Sequence, residues 1–321
     1  MRHSSPFLTI LTISVVTGFL LIQVIAAPIA DSVAIWVLLA SVVVIGIPHG
    51  AIDHIMASEL YGLNQTLKDH LIFYSSYLLV MMIIGALWVL LPVAGMILFL
   101  IISVYHFGQA DMEDFMTGRH RGFRIHYLNR GWLIIGLIIF SDPSVTVPII
   151  ADAVQTDPSE LSGHLPGAST AVFSTLGIYT AISAAGILSG TIQNSLTYFF
   201  DSLLLIACLL GTGPLIGFAI YFALWHSAGH IREMISFFES RNKPLTIARF
   251  YKKAAPFTLI SFAGLALLFQ VNTLLSLDNQ FITLMFILIS VLTLPHMFIV
   301  ERMYDEKSQT ESTAKEASKS L

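Results

Sequence analysis

Six of the eleven histidines in this 321-residue sequence fall in, or at the ends of, long apolar segments. An ionisable side chain is costly inside a membrane-length apolar segment, and by default it marks a functional interior or a water-filled cavity. Imidazole binds iron, copper, nickel and zinc, so the pattern indicates a metal site without selecting the metal. The six are His49, His54, His106, His226, His230 and His296. For the other five we expect solvated or interfacial side chains: His3, His70, His120, His126 and His164.

The spacing of one histidine pair supports a shared ion. His226 and His230 are four residues apart, and residues four apart project from one face of a helix, where two imidazoles can bind one ion. A zinc protease places a glutamate directly after the first histidine as its general base. Ser227 stands there instead, which argues against proteolysis by that route. The single cysteine, Cys208, excludes a disulfide framework and a cysteine-based site.

Carboxylates stand near these histidines in the sequence. Four neutral imidazoles would leave the +2 charge of a divalent ion uncompensated, and carboxylates hydrogen-bonded to the outer imidazole nitrogens would orient the rings and offset part of it. The candidates are Asp53, one turn after His49, Asp111, just beyond His106, and Asp201, at a similar predicted depth. Asp111 is equally compatible with a solvated loop position.

The elements that must position these residues are membrane-spanning helices. Apolar residues make up 55% of the sequence and charged residues 11%, against roughly 25% charged in a soluble domain. The apolar residues form blocks long enough to cross a hydrocarbon core of roughly 30 Å. We therefore predict an all-α, polytopic helical bundle of about ten spans, near residues 7–27, 33–55, 70–91, 93–110, 131–150, 169–190, 196–211, 214–238, 254–272 and 281–300. The first span resembles a secretory signal but is interpreted as uncleaved, and Asp142-Pro143 interrupts the fifth.

Loop charges predict the orientation, because cytoplasmic connections carry an excess of Lys and Arg. The 111–130 and 239–253 connections are basic, whereas 151–168 and 273–280 contain only acidic charges. Both termini are then cytoplasmic, in a multi-pass protein of the inner (plasma) membrane. Residues 1–304 form one membrane domain, and residues 305–321 form a polar tail that we expect to be disordered. A net charge of −4 without a basic stripe argues against nucleic-acid binding.

This topology places five of the histidines at one depth. At about 1.5 Å per residue, His49, His106, His226, His230 and His296 each lie about 18 to 24 Å from the outer end of their span. Spans two, four, eight and ten carry them and run in the same direction. Glycines near the histidines would let these helices approach closely; they are Gly46, Gly50, Gly108 and Gly229.

Four ordered motifs resemble the Brp/Blh family of bacterial and archaeal β-carotene 15,15′-dioxygenases. They are Pro48–His54 (PHGAIDH), Tyr105–Asp111 (YHFGQAD), Trp225–His230 (WHSAGH) and Leu294–His296 (LPH). The resemblance extends from about residue 35 to 304. It implies oxidative cleavage of the central double bond of β-carotene with O₂ at a non-haem Fe(II), giving two all-trans-retinal that would supply a microbial rhodopsin.

The resemblance also implies roles for individual residues. The iron ligands would be His49, His106, His226 and His230. His54 and His296 match family positions and are expected either just outside the ligands or facing the substrate. Because a carotenoid dissolves in lipid, the substrate would enter from the membrane.

Three other classes of protein have comparable histidines. A transporter or proton-coupled permease uses intramembrane histidines and carboxylates as an ion path, but here they bunch at one depth. A di-iron hydroxylase needs more ligands at one level than this chain offers, and haem ligation would give a strong visible absorption band. The sequence leaves open the preferred carotenoid, the route of product release and the oligomeric state.

Overall fold

The computed structural model describes residues 6–63, 66–118, 122–274 and 281–319. It is all-helical, at 88% helix, and the described ranges contain no β-structure beyond one isolated bridge between Met116 and Ile192. The predicted all-α class is therefore confirmed. Two of the histidines named above, His3 and His120, lie outside the described residues, as do three charged residues of the predicted connections: Arg119, Arg121 and Asp278.

Within these ranges fourteen α-helices follow one another along the chain. They are α1 Pro6–Ser41, α2 Ile47–Gly50, α3 Asp53–Leu60, α4 Leu67–Leu90, α5 Pro92–Met112, α6 Arg124–Phe140, α7 Pro143–Val154, α8 Pro158–His164, α9 Ala168–Leu188, α10 Ser195–Gly211, α11 Pro214–Ile220, α12 Ala228–Ser240, α13 Ile247–Leu274 and α14 Phe281–Lys319. Two π-helical segments, Val42–Gly46 and Tyr221–Ser227, join α1 to α2 and α11 to α12.

The described residues contain six helical stretches long and apolar enough to cross a membrane. A seventh is reached if α6 and α7 form one span, bent by 99°. This bend confirms the interruption predicted at Asp142-Pro143. The number is lower than ten partly because Pro6–Leu60 is a single 55-residue stretch, which covers the first two predicted spans. In addition, the predicted seventh span is only 17 residues long, as α10.

Helix α1 reverses direction at a kink. Ala26 has a non-helical backbone (φ −149°, ψ 54°). Leu8 lines a small pocket with Trp225, and His49 lies next to His226, the residue after Trp225. A straight helix would place residues 8 and 49 about 60 Å apart. The two halves of α1 must therefore run in opposite directions, as the first two predicted spans do.

The two π-helical segments precede or carry site histidines. Pro48 lacks a backbone N–H, and its ring crowds the carbonyl one turn earlier, which accounts for the irregular turn Val42–Gly46 just before His49. The second segment, Tyr221–Ser227, contains His226 itself. Single π-helical turns occur frequently at functional sites.

Helices α5 and α6 pack backbone against backbone. A Cβ atom on Gly108 would lie 1.8 Å from the carbonyl oxygen of Tyr127, and one on Gly131 would lie 1.6 Å from that of Val104. No side chain fits at either position. Gly108 therefore allows a close approach of α5 to α6, which carries none of the five clustered histidines, and this contact sets the position of His106 two residues earlier.

Helix α14 continues past residue 304 without a break, to Lys319. Its first polar turns are attached to the bundle: Glu306 pairs with Arg241, and Lys307 lies 3.8 Å from Asp114. The predicted domain boundary at residue 304 therefore falls inside a helix, because charged partners on neighbouring elements extend its contacts beyond the apolar part.

Candidate metal centre and apolar cavity

Five histidines from four separate parts of the chain meet at one place. Neighbouring ring centroids lie between 4.8 Å (His106 and His226) and 6.1 Å (His49 and His230) apart. His296 belongs to the same group, with its ring 5.0 Å from that of His49. All five are buried, with 0–7% of each residue exposed. The convergence predicted from their common depth is confirmed.

The ring spacing matches imidazoles around a single ion. With metal–nitrogen bonds of about 2.1 Å, each ring centroid lies roughly 3 Å from the ion, so adjacent rings are roughly 4.5–5 Å apart and opposite rings roughly 6.5 Å. No group of three or more His, Cys, Asp or Glu side chains in the described ranges is arranged as a formed metal site. The ring centroids surround a common volume.

Outer hydrogen bonds orient two of the rings. The Nδ1–H of His49 donates to the carbonyl of Gly46, and the Nδ1–H of His296 donates to both carboxylate oxygens of Asp53, at 2.8 and 3.0 Å. The Nε2 atoms of His49 and His296 are buried, with no hydrogen-bond partner in the described part of the chain. These nitrogens are left with a lone pair for a ligand, which fits a metal.

A third ring is held through a tyrosine. The Tyr304 hydroxyl donates to Glu233 Oε2 at 2.5 Å, and it lies 3.3 Å from Nε2 of His230. Since the hydroxyl proton is directed at the carboxylate, His230 donates its Nε2–H to the tyrosine oxygen. The half-buried carboxylate of Glu233 thus acts on His230 through the hydroxyl of Tyr304.

The other two predicted carboxylates have a different partner. Asp111 and Asp201 both form ion pairs with Arg130, with Asp111 Oδ2 at 3.1 Å from Nε. Asp111 is buried within α5, so it is not a solvated loop residue. Arg130, counted above among cytoplasmic loop charges, is buried in α6. Its charge is tolerated there because two carboxylates face it.

Four residues of the site were not predicted from the sequence. Arg130 was assigned to a loop, but in the structure helix α6 already begins at Arg124. Tyr77 donates its hydroxyl to Asp53 Oδ2 at 2.9 Å, and Glu233 and Tyr304 act on His230. A polar residue in an apolar stretch is the only signal that could have singled out Tyr77.

An apolar cavity of about 430 Å³ reaches the histidine cluster. His49, His106, His226 and His296 form its polar end, and its walls come largely from α4, α13 and α14. Leu78 on α4 and Ile260 on α13 line the cavity and are also 53% and 62% exposed. The cavity therefore opens on the apolar outer surface between these two helices.

The other histidines within the described ranges lie apart from the cluster. His54 lines the cavity, with its ring 4.4 Å from that of Phe257. His126 is buried in α6 instead of interfacial, because the basic stretch before residue 130 is already helical. His70 and His164 are exposed, as expected.

The fold and the cluster together define a helical membrane protein with a buried, histidine-lined cavity. A family model described as β-carotene 15,15′-dioxygenase matches residues 40–304. The chain therefore belongs to the β-carotene 15,15′-dioxygenase family.

Two curated relatives agree with this assignment. The chain is 26% identical over 289 residues to a probable β-carotene 15,15′-dioxygenase Blh of Halobacterium salinarum, covering 83% of each chain. It is 24% identical over 275 residues to a β-carotene 15,15′-dioxygenase of an uncultured marine bacterium, covering 84% of this chain and 94% of the relative. No solved structure matches the chain.

Proposed function

We propose that this protein cleaves the central double bond of β-carotene with O₂ at a non-haem Fe(II), giving two molecules of all-trans-retinal. The proposed iron ligands are His49, His106, His226 and His230. Each carbon of the broken bond gains one oxygen atom of O₂, so the reaction balances without a further reductant. The observation that carries the proposal is the meeting of buried imidazoles at the inner end of an apolar cavity.

The donor set supports iron of this kind. Neutral imidazoles are ligands of ferrous iron and leave coordination positions open. When bound, the metal would supply O₂ activation and the electrophilic character that the cleavage needs. Family membership supports the carotenoid substrate, because both curated relatives carry that substrate in their names.

The protein's own part in the reaction is positioning. Phe107 and Phe222 line the cavity and pack against His226, with ring centroids 4.8 and 5.7 Å away. Rigid aromatic walls beside the imidazoles would hold one region of a polyene next to the cluster. They would also exclude water from the reacting bond. No side chain is required as a nucleophile or as a proton donor.

The opening between α4 and α13 supports entry of the substrate from lipid. Leu78 and Ile260 lie on the apolar outer surface, so a hydrocarbon could pass from the bilayer into the cavity without crossing water. We place the protein in the plasma membrane with ten spans and both termini in the cytoplasm. Retinal released beside such an opening would be available to a microbial rhodopsin in the same membrane.

A permease fits this arrangement less well. An ion path requires polar groups distributed across the membrane, whereas these imidazoles gather around one volume and the cavity beside them is apolar. A stoichiometric metal is also unnecessary for a permease.

The test is expression in cells that accumulate β-carotene. We expect bleaching of the cells and retinal as the product of the active protein. His226→Ala should leave the cells coloured, because His226 is central to the cluster, whereas Leu259→Ala, on the exposed surface of α13, should bleach them as the parent does. Bleaching without retinal, or equal bleaching by the His226 variant, would contradict the proposal.

A further inference from the structure

His296 has the position of a ligand, although the four-histidine set leaves it out. Its ring lies 5.0 Å from that of His49, 5.4 Å from that of His106 and 5.8 Å from that of His230. These separations fall within the range among the four proposed ligands, 4.8–6.1 Å. By spacing alone, the cluster has five equivalent members.

The hydrogen bonds of His296 prepare one nitrogen for a metal. Its Nδ1–H donates to Asp53, and Asp53 also accepts a hydrogen bond from the Tyr77 hydroxyl at 2.9 Å. Only 5% of His296 is exposed, and its Nε2 has no hydrogen-bond partner among the described residues. A carboxylate that holds the far nitrogen of an imidazole fixes its tautomer and makes the other nitrogen a stronger donor.

The aspartate also brings a buried negative charge into direct contact with a ring of the cluster. Asp53 is 4% exposed, and its carboxylate is shared between His296 and Tyr77. A neutral donor set leaves a divalent ion's charge uncompensated inside an apolar protein, which is costly. A carboxylate one imidazole away from the ion would offset part of that charge.

We infer that His296 is a fifth imidazole donor to the metal and that Asp53 is its positioning residue. This inference rests on the proposed function. Five protein donors would leave one position of a six-coordinate ion for a small ligand, so the hydrocarbon substrate would lie beside the metal without binding to it. Tyr77 lines the cavity and donates a hydrogen bond to Asp53. It would therefore connect the Asp53 carboxylate to the wall of the cavity that holds the substrate.

The experiment measures the metal directly. Full-length protein in detergent would be loaded anaerobically with Fe(II), its dissociation constant determined, and its nitrogen shell counted by X-ray absorption. The variants are His296→Ala and Asp53→Asn. The matched control is His126→Ala, which removes a buried imidazole of α6 that lies outside both the cluster and the cavity lining. Thermal unfolding of the metal-free proteins would report whether each variant folds.

We expect five imidazole nitrogens in the parent and four in His296→Ala. Asp53→Asn should keep the nearly isosteric contact but weaken Fe(II) binding by roughly 10–100-fold, as loss of such outer partners does. His126→Ala should bind Fe(II) as the parent does. Unchanged affinity and an unchanged nitrogen shell in both test variants would overturn the fifth donor while leaving the four-histidine proposal intact. A folded parent that binds no Fe(II) would instead overturn the proposed function itself.

Discussion

Two buried polar clusters contact the same π-helical segment, Tyr221–Ser227, and they differ in one respect. In the arginine cluster, the guanidinium nitrogens of Arg130 donate to Asp111, Asp201, Tyr179 and Ser202. In the histidine cluster, Nε2 of His49 and Nε2 of His296 have no partner within the described ranges. Buried polar atoms are nearly always paired, so the first cluster is complete, whereas the open nitrogens of the second are compatible with the proposed metal.

The arginine cluster and the histidine cluster also differ in the charges that they bring together. Arg130 brings one positive charge against the two carboxylates, and all three side chains are at most 4% exposed. In the histidine cluster, the carboxylate of Asp53 lies within ion-pair distance of the ring of His296. A closed ionic network is costly to break because it leaves an uncompensated charge, whereas an open neutral set is suited to a cation.

The arginine cluster also holds the segment that carries His226. Trp225 donates its Nε1–H to Asp201 at 3.1 Å, and Tyr221 donates its hydroxyl to Asp111 at 3.3 Å. These two hydrogen bonds hold the π-helical turn that carries His226. The arginine cluster thus stabilises the fold, and under the proposed function the histidine cluster carries out the chemistry.

Loss of Arg130 should have the largest effect. Arg130→Met leaves two buried carboxylates without a counter-ion, and we expect destabilisation by about 3–5 kcal/mol, measured by thermal unfolding in detergent. Arg124→Met, at a side chain 65% exposed, is the control and should unfold as the parent does. A triple variant that adds Asp111→Asn and Asp201→Asn should recover part of the loss. If the Arg130→Met variant were as stable as the parent, the arginine cluster would not stabilise the fold, and the distinction between the two clusters would be wrong.

His226→Ala should separate chemistry from fold. We expect at least ~100-fold lower retinal formation and loss of Fe(II), since removing a ligand costs no less than removing an outer partner. The metal-free protein should unfold near the parent's temperature. His126→Ala, at a buried histidine outside the cluster, should keep its iron. If His226→Ala lost stability as Arg130→Met does, the histidine cluster would be structural too.

Gly108→Ala tests the backbone contact that places His106. The new methyl group would collide with a carbonyl oxygen of α6, at 1.8 Å, and overpacking of this kind costs about 1–3 kcal/mol. We expect lower stability together with weaker Fe(II) binding. The control, Gly85→Ala on α4, has nothing within 4 Å of the new atom. Equal behaviour of the two variants would show that α5 and α6 do not pack as described.

The smallest expected effect is at the mouth of the cavity. Ile260→Trp should narrow the opening and lower kcat/KM for β-carotene by roughly 10-fold, with Fe(II) content unchanged. Leu259→Trp is the matched control, because Leu259 is 65% exposed but does not line the cavity. A parent-like rate for Ile260→Trp would place the entrance elsewhere.

The histidine cluster could be predicted because the number of residues between the outer end of a span and its histidine sets the depth of that histidine in the membrane. Counting residues from the outer end of each span placed His49, His106, His226, His230 and His296 in one layer, and their rings do meet. Helix positions were predicted within a few residues, as for α5 and α9, because each follows one uninterrupted apolar block.

Contacts between distant positions could not be predicted in this way. Asp53 was placed near His49 by sequence, yet it binds His296, 243 residues away. Arg130 was assigned to a loop because its neighbours are basic, although its partners lie on α5 and α10. Side-chain pairing depends on how helices rotate against one another, and the apolar pattern of a membrane helix carries little information on rotation.

The most direct test of the central claim is the iron content of the purified protein. Full-length chain prepared without oxygen and supplied with Fe(II) should retain about one ferrous ion per chain, bound through imidazole nitrogens, and should convert β-carotene to retinal only when that iron is present. A chain that forms retinal equally well after complete removal of metal would contradict the account.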